Sequence, residues 1–487
     1  MMPTPGHLPP AYRLGLCLLG GTLLLSCSET TRPEAATDTV AEKAAPVATD
    51  PAEKPAPPPV PDDPDATYRI DLDSALQLAA GRNLDLARSV ERARLAAAQS
   101  DQARLSILPD LNAGANFAKQ HGLLQEIGGA PIDTERVSRS AGLGTASGVP
   151  GVWLDLSVGS AIFEPLAAQQ DRKAAEAAAQ AHEHQVLADA AAGYFELVRA
   201  HGRLRIAREI ESASQKLAQA TEDFAQAGEG LEADAQRALA THLLRQGDTA
   251  DAQAQLRQRS AALARLLHLP ITLTLVPATD SIAATHLVDP DESPGRLVAT
   301  ALRCRPETVA MQAEVAAAAH RFTAQKIQPF LPNLAAGYSN FEFAAGRGSS
   351  TERSDARDEV AALIYWKLDG LGLGNKAATR ERESELALAR LEESRLLDDI
   401  AYQVTTLRAD LLARRDRLSL GQKAATHARK AYQLTTERLQ QSQGLPIEAL
   451  ASIQTLAEAR QAEISAVLDY NIAQHRLLAA LGHPATK

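Results

Sequence analysis

The folded body of this sequence is written twice, and no other feature restricts its possible architectures as tightly. The run Ile107-Leu108-Pro109-Asp110-Leu111-Asn112-Ala113-Gly114 returns as Phe330-Leu331-Pro332-Asn333-Leu334-Ala335-Ala336-Gly337. Gly230-Leu231 followed by Asp234 returns as Gly444-Leu445 followed by Glu448, and Leu266-Leu267-His268-Leu269-Pro270 returns as Ala480-Leu481-Gly482-His483-Pro484. The landmarks keep the same order in both copies. Their separation of about 210–220 residues is too long for a stacked solenoid unit, so the chain holds one duplicated half and not an array.

Each half reads as helix, strand, long loop, strand, very long helix, tight turn and long helix. In the first half Asp71 is placed to cap a helix start, and Leu86, Val90, Ala93 and Ala97 keep the spacing of one helix face. Pro109 pushes Leu108 out of helical geometry and ends that element. Ser293-Pro294 is the matching start in the second half, a cap followed by proline at the first helical position. From about Pro165 to Ala227 only Gly193 and Gly202 interrupt the helical pattern, which predicts roughly 90 Å of helix. Its returning partner runs from about Leu231 to Leu267, and the second half repeats the hairpin over about Asn375–Gln443 and Pro446–Leu481. Aromatic residues make up only 4% of the chain although 45% is hydrophobic, so Ala and Leu carry the apolar fraction. They form narrow stripes, which suit long helices lying close side by side better than a thick core.

The strand segments alternate with period two. Val152, Leu154, Leu156 and Val158 oppose Trp153, Asp155, Ser157 and Gly159; Val360, Ala362, Ile364, Trp366 and Leu368 oppose Ala361, Leu363, Tyr365, Lys367 and Asp369. Weaker strands follow the two Leu-Pro runs, and the Gly-, Ser- and charge-rich stretches Lys119–Pro150 and Ala344–Arg357 read as loops joining each pair. Four strands of this kind cannot form a closed membrane barrel alone, because open edges in lipid leave backbone groups unpaired. Several copies contributing strands to one barrel remove that difficulty. Trp153, Tyr338, Tyr365 and Trp366 are then candidates for its interfacial aromatic girdles.

Ahead of the body, Arg13 precedes an apolar stretch from Leu14 to Leu25, the length of a signal-peptide core and too short to span a bilayer. It ends in Leu24-Leu25-Ser26-Cys27, which resembles the bacterial lipobox and implies cleavage before a lipidated Cys27. Ser28 stands where an Asp would resemble an inner-membrane retention signal, so the resemblance favours the outer membrane. The Pro-, Ala- and acid-rich segment that follows reads as an extended tether. Of three cysteines, only Cys304 is left for the body; it is expected to be packed or half-buried in a helix, with no disulfide.

Taken together, the segments from Tyr68 to Pro484 resemble the TolC-like outer-membrane efflux proteins, particularly their lipoprotein members. The resemblance rests on Asp71–Ala80, the two Leu-Pro runs, the junction Leu368–Gly374, and the turns Gly230–Ala238 and Gly444–Ser452. It implies a mainly α protein of duplicated long α-hairpins with four membrane strands per chain, in a homotrimer whose twelve-stranded barrel continues into a periplasmic helical tunnel. It also implies a periplasmic adaptor and an inner-membrane RND or ABC transporter as partners. The expected organisation is signal peptide 1–26, lipidated Cys and tether 27–67, first repeat 68–270, linker 271–292 and second repeat 293–484. The tip turns, Gly230 with Asp234 and Arg237, and Gly444 with Glu448, are the candidate tunnel entrance. A threefold axis makes each acid a ring of three, which attracts cations; the competing reading is that each acid merely favours the start of the returning helix.

Other function classes find little support. A net charge of −10 argues against nucleic-acid binding. Gly370-Leu371-Gly372-Leu373-Gly374 has the wrong spacing for a phosphate loop, and the twelve His show no metal-ligand pattern. No cofactor and no enzymatic activity are expected. A lipid-anchored periplasmic coiled-coil scaffold without a pore is the alternative, and the strand alternation is what a scaffold does not need.

Overall fold

The computed structural model describes residues 59, 61, 66–125, 129–141, 152–228, 230–279, 283–347, 353–441 and 445–484, all within one compact unit spanning 54–487. The signal segment, Cys27, nearly all of the tether, and Gly444 lie outside the described residues. Among the described residues no helix is long and apolar enough to cross a membrane.

The first half runs β1 (Thr67–Ile70), α1 (Leu72–Arg82), α2 (Leu84–Leu105), β2 (Asp110–Ala113), β3 (Asn116–Gln125), β4 (Pro131–Ala141), β5 (Val152–Ser157), α3 (Val158–Gln226) and α4 (Glu232–Leu266). After β6 (Thr274–Pro277) the second half follows as α5 (Pro294–Cys304), α6 (Pro306–Ile327), β7 (Asn333–Arg347), β8 (Arg353–Tyr365), α7 (Leu373–Gln440) and α8 (Pro446–Ala480). At 69 and 68 residues, α3 and α7 are each about 100 Å long. Helix α3 begins directly at the end of β5, earlier than Pro165, which lies inside it.

The stretches expected to be loops are largely strand. β3 and β4 pair from Asn116↔Ser140 to Gln125↔Pro131, and β7 pairs with β8 as far as Ala345↔Arg353. Period-two reading fails there because polar residues stand on both faces, leaving no alternation to detect. The segment expected to be a plain linker also holds β6, which pairs in parallel with β1 from Thr67↔Thr274 to Ile70↔Pro277.

The helices lie side by side in two series. Toward the strands the order is α2, α3, α6, α7; toward the hairpin turns it is α4, α3, α8, α7. Small residues make the close contacts possible: a Cβ on Gly193 would stand 3.2 Å from Leu263 of α4, and one on Gly202 would stand 3.1 Å from Ile464 of α8. These two glycines leave α3 unbroken and serve packing. A central core joins Leu78 and Ala79 of α1, Ile70 and Leu275 of the small sheet, Tyr194, Phe195 and Leu197 of α3, Leu263 of α4 and Leu468 of α8. Its counterpart in the second half joins Leu297 and Ala301 of α5, Ile400, Val404 and Leu411 of α7, and Tyr470 and Leu477 of α8.

The repeat extends to how the returning helices end, although Ser293, expected to cap α5, makes no side-chain cap bond where Asp71 does. Asp71 caps α1 by accepting from Ser74 N at 2.8 Å, and the bonds with Ser74 hold its carboxyl below the usual range. The break between α1 and α2 is made by buried Asn83, which accepts from Leu86 N and donates through Nδ2 to Leu266 O at 3.1 Å, the end of α4. Between α5 and α6 the same place is held by buried Arg305, whose Nε donates to Ala480 O at 2.6 Å, the end of α8. Each long returning helix is therefore stopped by a side chain from the break in its own half. Cys304, expected to be packed, is exposed as the last residue of α5; it precedes the break, and Arg305 takes the inward position.

Candidate functional site

Strand register defines the first candidate surface. β2 and β3 form one track, β5 and β4 the next, then β7 and β8, each antiparallel to its neighbour. Among the described residues the free margins are β2–β3 on one side and β8 on the other. Three ladder rows place apolar residues on one face: Leu156, Leu334 and Ile364; Leu111, Leu154, Ala336 and Ala362; Ala113, Val152, Tyr338 and Val360. Val360 and Leu111 are largely exposed there, at 82% and 65%. The opposite face carries Asp110, Asn112, Asp155, Ser157, Asn333 and Glu359, together with Trp153, Leu363 and Tyr365.

The four aromatic girdle candidates do not share this apolar face. Tyr338 stands on it, and its hydroxyl donates to Asp358 at 2.9 Å, which also accepts from Asn340. Trp153 stands on the other face directly opposite Gly337, where a Cβ would lie 1.7 Å from the indole ring. The glycine is there because the indole covers its backbone, an aromatic–glycine cross-strand pair. Tyr365 shares the Trp153 face, opposite Asn333, and Trp366 lies beyond β8, donating from Nε1 to Phe330 O at 3.3 Å.

The second surface is the hairpin tip. The α3–α4 turn closes with Gly228 N donating to Ala225 O and Gly230 N donating to Phe224 O at 3.0 Å. Left-handed backbone falls on Gly228, with φ +75, and not on the Gly230 that the repeat pattern singles out. Gly230 matters for space: a Cβ would stand 3.1 Å from Phe224 and 3.2 Å from Ala225 N. Asp234 lies in the first turn of α4 and pairs with Arg237 at 3.2 Å. Glu448 lies in the first turn of α8 and pairs with Arg438 of α7 at 3.6 Å. Each acid thus has a helix N-terminus and an arginine beside it. The arginine at Arg438 was not singled out by the sequence pattern, because it lies on the other arm of its hairpin.

Between core and tip the two halves are tied by charge. Arg199 of α3 meets Asp469 of α8 at 2.5 Å, Arg414 of α7 reaches the same carboxylate at 3.2 Å, and Arg460 pairs with Glu209. His475 of α8 lies in the apolar seam against Phe195, with ring centroids 5.5 Å apart, and burial pushes its imidazole down to about 4. Among the described residues no group of His, Cys, Asp and Glu is arranged to hold a metal ion.

This geometry, a four-track sheet with one apolar face set on two very long helical hairpins, is that of the TolC-like outer-membrane channels. Residues 75–268 match the family model described as outer membrane efflux protein. The outer-membrane channel OprN is 21% identical over 89% of this chain and 95% of its own, with a TM-score of 0.69. The CmeC outer membrane channel of Campylobacter jejuni is 15% identical over 84% of this chain and 85% of its own, with a TM-score of 0.70. The open state of the Neisseria gonorrhoeae MtrE channel is 19% identical over 86% of this chain and 91% of its own, with a TM-score of 0.60. At these identities the likeness is one of fold. No curated protein sequence matches the chain.

Proposed function

We propose that the chain is the outer-membrane channel of a tripartite exporter, conducting substrate passively through a homotrimer. The observation that supports this reading is the sheet: an exposed apolar face of strand length suited to lipid, with two margins unpaired among the described residues, which further strands would satisfy. Three copies give a closed twelve-stranded barrel, and the helix series beneath it continues as a periplasmic tunnel. Lipid attached at Cys27 anchors the tether to the outer membrane. A periplasmic adaptor couples the hairpin tips to an inner-membrane RND or ABC transporter, which supplies the energy. At the entrance, Asp234 with Arg237 and Glu448 with Arg438 form rings of paired ions instead of bare carboxylates, so selectivity from the acids alone is weak.

The test is reconstitution of the purified, lipidated chain into planar bilayers. Discrete conductance steps from a species of trimeric mass are expected. A monomeric mass in mild detergent together with silent bilayers refutes the channel and favours the tethered scaffold.

A further inference from the structure

The β7–β8 register runs without a bulge from Asn333↔Tyr365 to Ala345↔Arg353, and β4 follows β7 as far as Thr134↔Arg347. Alternation therefore carries both faces of the sheet unbroken past its apolar rows to the end far from the helices. There the charged positions sort by face. On the Trp153 face, opposite the apolar one, stand Arg136, Arg347, Arg353, Arg357, Asp355 and Glu359, an excess of two positive charges per copy among the described residues. The continuation of the apolar face carries Lys119, Arg139, Asp133, Glu135, Glu342 and Asp358, an excess of two negative charges. The positive excess is concentrated further. Arg357 pairs with Glu359 at 3.4 Å, which removes both from the balance. Arg136 and Arg353 flank Ala345 in one ladder row, and Arg347 follows Ala345 two residues along β7. The backbones at Arg136 and Arg353 are about 10 Å apart, twice the strand spacing, and Arg347 lies about 7–8 Å diagonally from each. Gathering like charges across neighbouring strands costs the sheet stability, and only Asp355 on β8 offsets them.

The grouping gains a use once the Trp153 face lines a lumen, and on this point it rests on the channel reading above, in which the apolar face meets lipid and the other turns inward. Rings of arginine are how a pore favours anions. We infer that Arg136, Arg347 and Arg353, repeated in each copy, form an anion-attracting collar at the outer mouth of the barrel, so that the class of solute favoured at the exit is anionic. On β7 the same face leads up to the collar through Ser339, Phe341 and Phe343. Asp110 and Asp155 share this face at the helix end of the sheet. The lumen is thus acidic where it leaves the helices and basic where it opens outward.

The experiment uses full-length, lipidated trimers in planar bilayers under a potassium chloride gradient around 0.1 M, where screening leaves a reach of about 10 Å. Arg136→Gln with Arg347→Gln and Arg353→Gln is expected to lower the chloride-to-potassium permeability ratio by about threefold or more, and further as salt is reduced. Lys119→Gln with Arg139→Gln removes like charge from the other face at the same end of the sheet, and is expected to leave the ratio unchanged. An unchanged ratio in the first variant, or an equal fall in the second, overturns the collar while the channel stands. Should the triple variant fail to form trimers, Arg347→Cys in a Cys304→Ser background takes its place. A cationic thiosulfonate adduct is then expected to raise the ratio and an anionic one to lower it, and indifference to the sign of the adduct overturns the collar. Silent bilayers from the unmodified trimer instead refute the channel reading itself.

Discussion

The matched ends of α4 and α8 yield a pair of substitutions with opposite expected signs. At the end of α4, His268 takes the left-handed cap position with φ +51, and Leu269 N donates back to Ala264 O at 2.9 Å. At the end of α8, Gly482 takes the same position with φ +86, and His483 N donates to Leu478 O at 3.3 Å. Both are left-handed helix stops of the same design. In Gly482→Ala the new Cβ meets Cys304 C and O at 2.6 Å and Arg305 N at 2.8 Å, all backbone of the α5–α6 break. Left-handed alanine costs about 1–2 kcal/mol, and the stiffer unfolded chain returns about 0.4–1 kcal/mol. Displacing the break also loosens the 2.6 Å bond from Arg305 to Ala480 O, a charged hydrogen bond whose loss adds about 1.5–3 kcal/mol. The total is about 3 kcal/mol of destabilisation. In His268→Gly the strain of about 1–2 kcal/mol is relieved against about 0.5–1 kcal/mol of added chain entropy, and His268 is exposed, so a gain of a few tenths up to about 1 kcal/mol is expected. Urea unfolding followed by helical circular dichroism measures both. Shifts in the same direction, or a Gly482→Ala effect under about 0.5 kcal/mol, would refute the equivalence of the two caps.

Three further expectations concern the seam and the tip. His475 titrates near 4 in the fold and near 6.5 when unfolded, so the unfolded chain binds the extra proton first as pH falls; stability is expected to drop by up to about 3 kcal/mol between pH 6.5 and 4, and His475→Leu to flatten that slope. Gln474 of α8 accepts from Leu287 N and Val288 N and donates to Val288 O, so Gln474→Ala strands buried backbone groups and is expected to cost about 2–4 kcal/mol in urea unfolding, against under 1 for the exposed Gln454→Ala. Removing both tip arginines, Arg237→Ala with Arg438→Ala, leaves the acids unpaired; bilayer reversal potentials are then expected to move toward cation selectivity, and unchanged selectivity would place the acids away from the conducting path.

The duplication and both hairpins were legible because the landmarks are local: a proline that ends a helix, a glycine-containing turn, a cap. The strand segments nearest the helices were legible because one face there is apolar. Beyond Tyr338 and Val360 both faces turn polar, and the same ladder becomes invisible to a period-two reading. The β1–β6 pair was hidden for another reason, since four-residue strands joined in parallel across the whole first half leave no local trace. Girdle candidates chosen by residue type missed that Trp153 faces away from Tyr338, which only register can tell. At the tip, the repeat points to Asp234 and Glu448 but not to Arg438, because the pairing of Arg438 with Glu448 spans the turn.

Helix α8 stands more than 200 residues from α3 in the sequence, yet it lies between α3 and α7 and carries the Asn471 and Gln474 that hold the 283–288 segment. Until α8 docks, one flank of α3 stays bare and the 283–288 crossing between the halves lacks its hydrogen-bond partners. The first half can therefore fold its own hairpin early, but the subunit closes only once α8 is in place. A chain without α8 forfeits the join between its halves, so the integrity of that one helix decides whether the two repeats behave as one body.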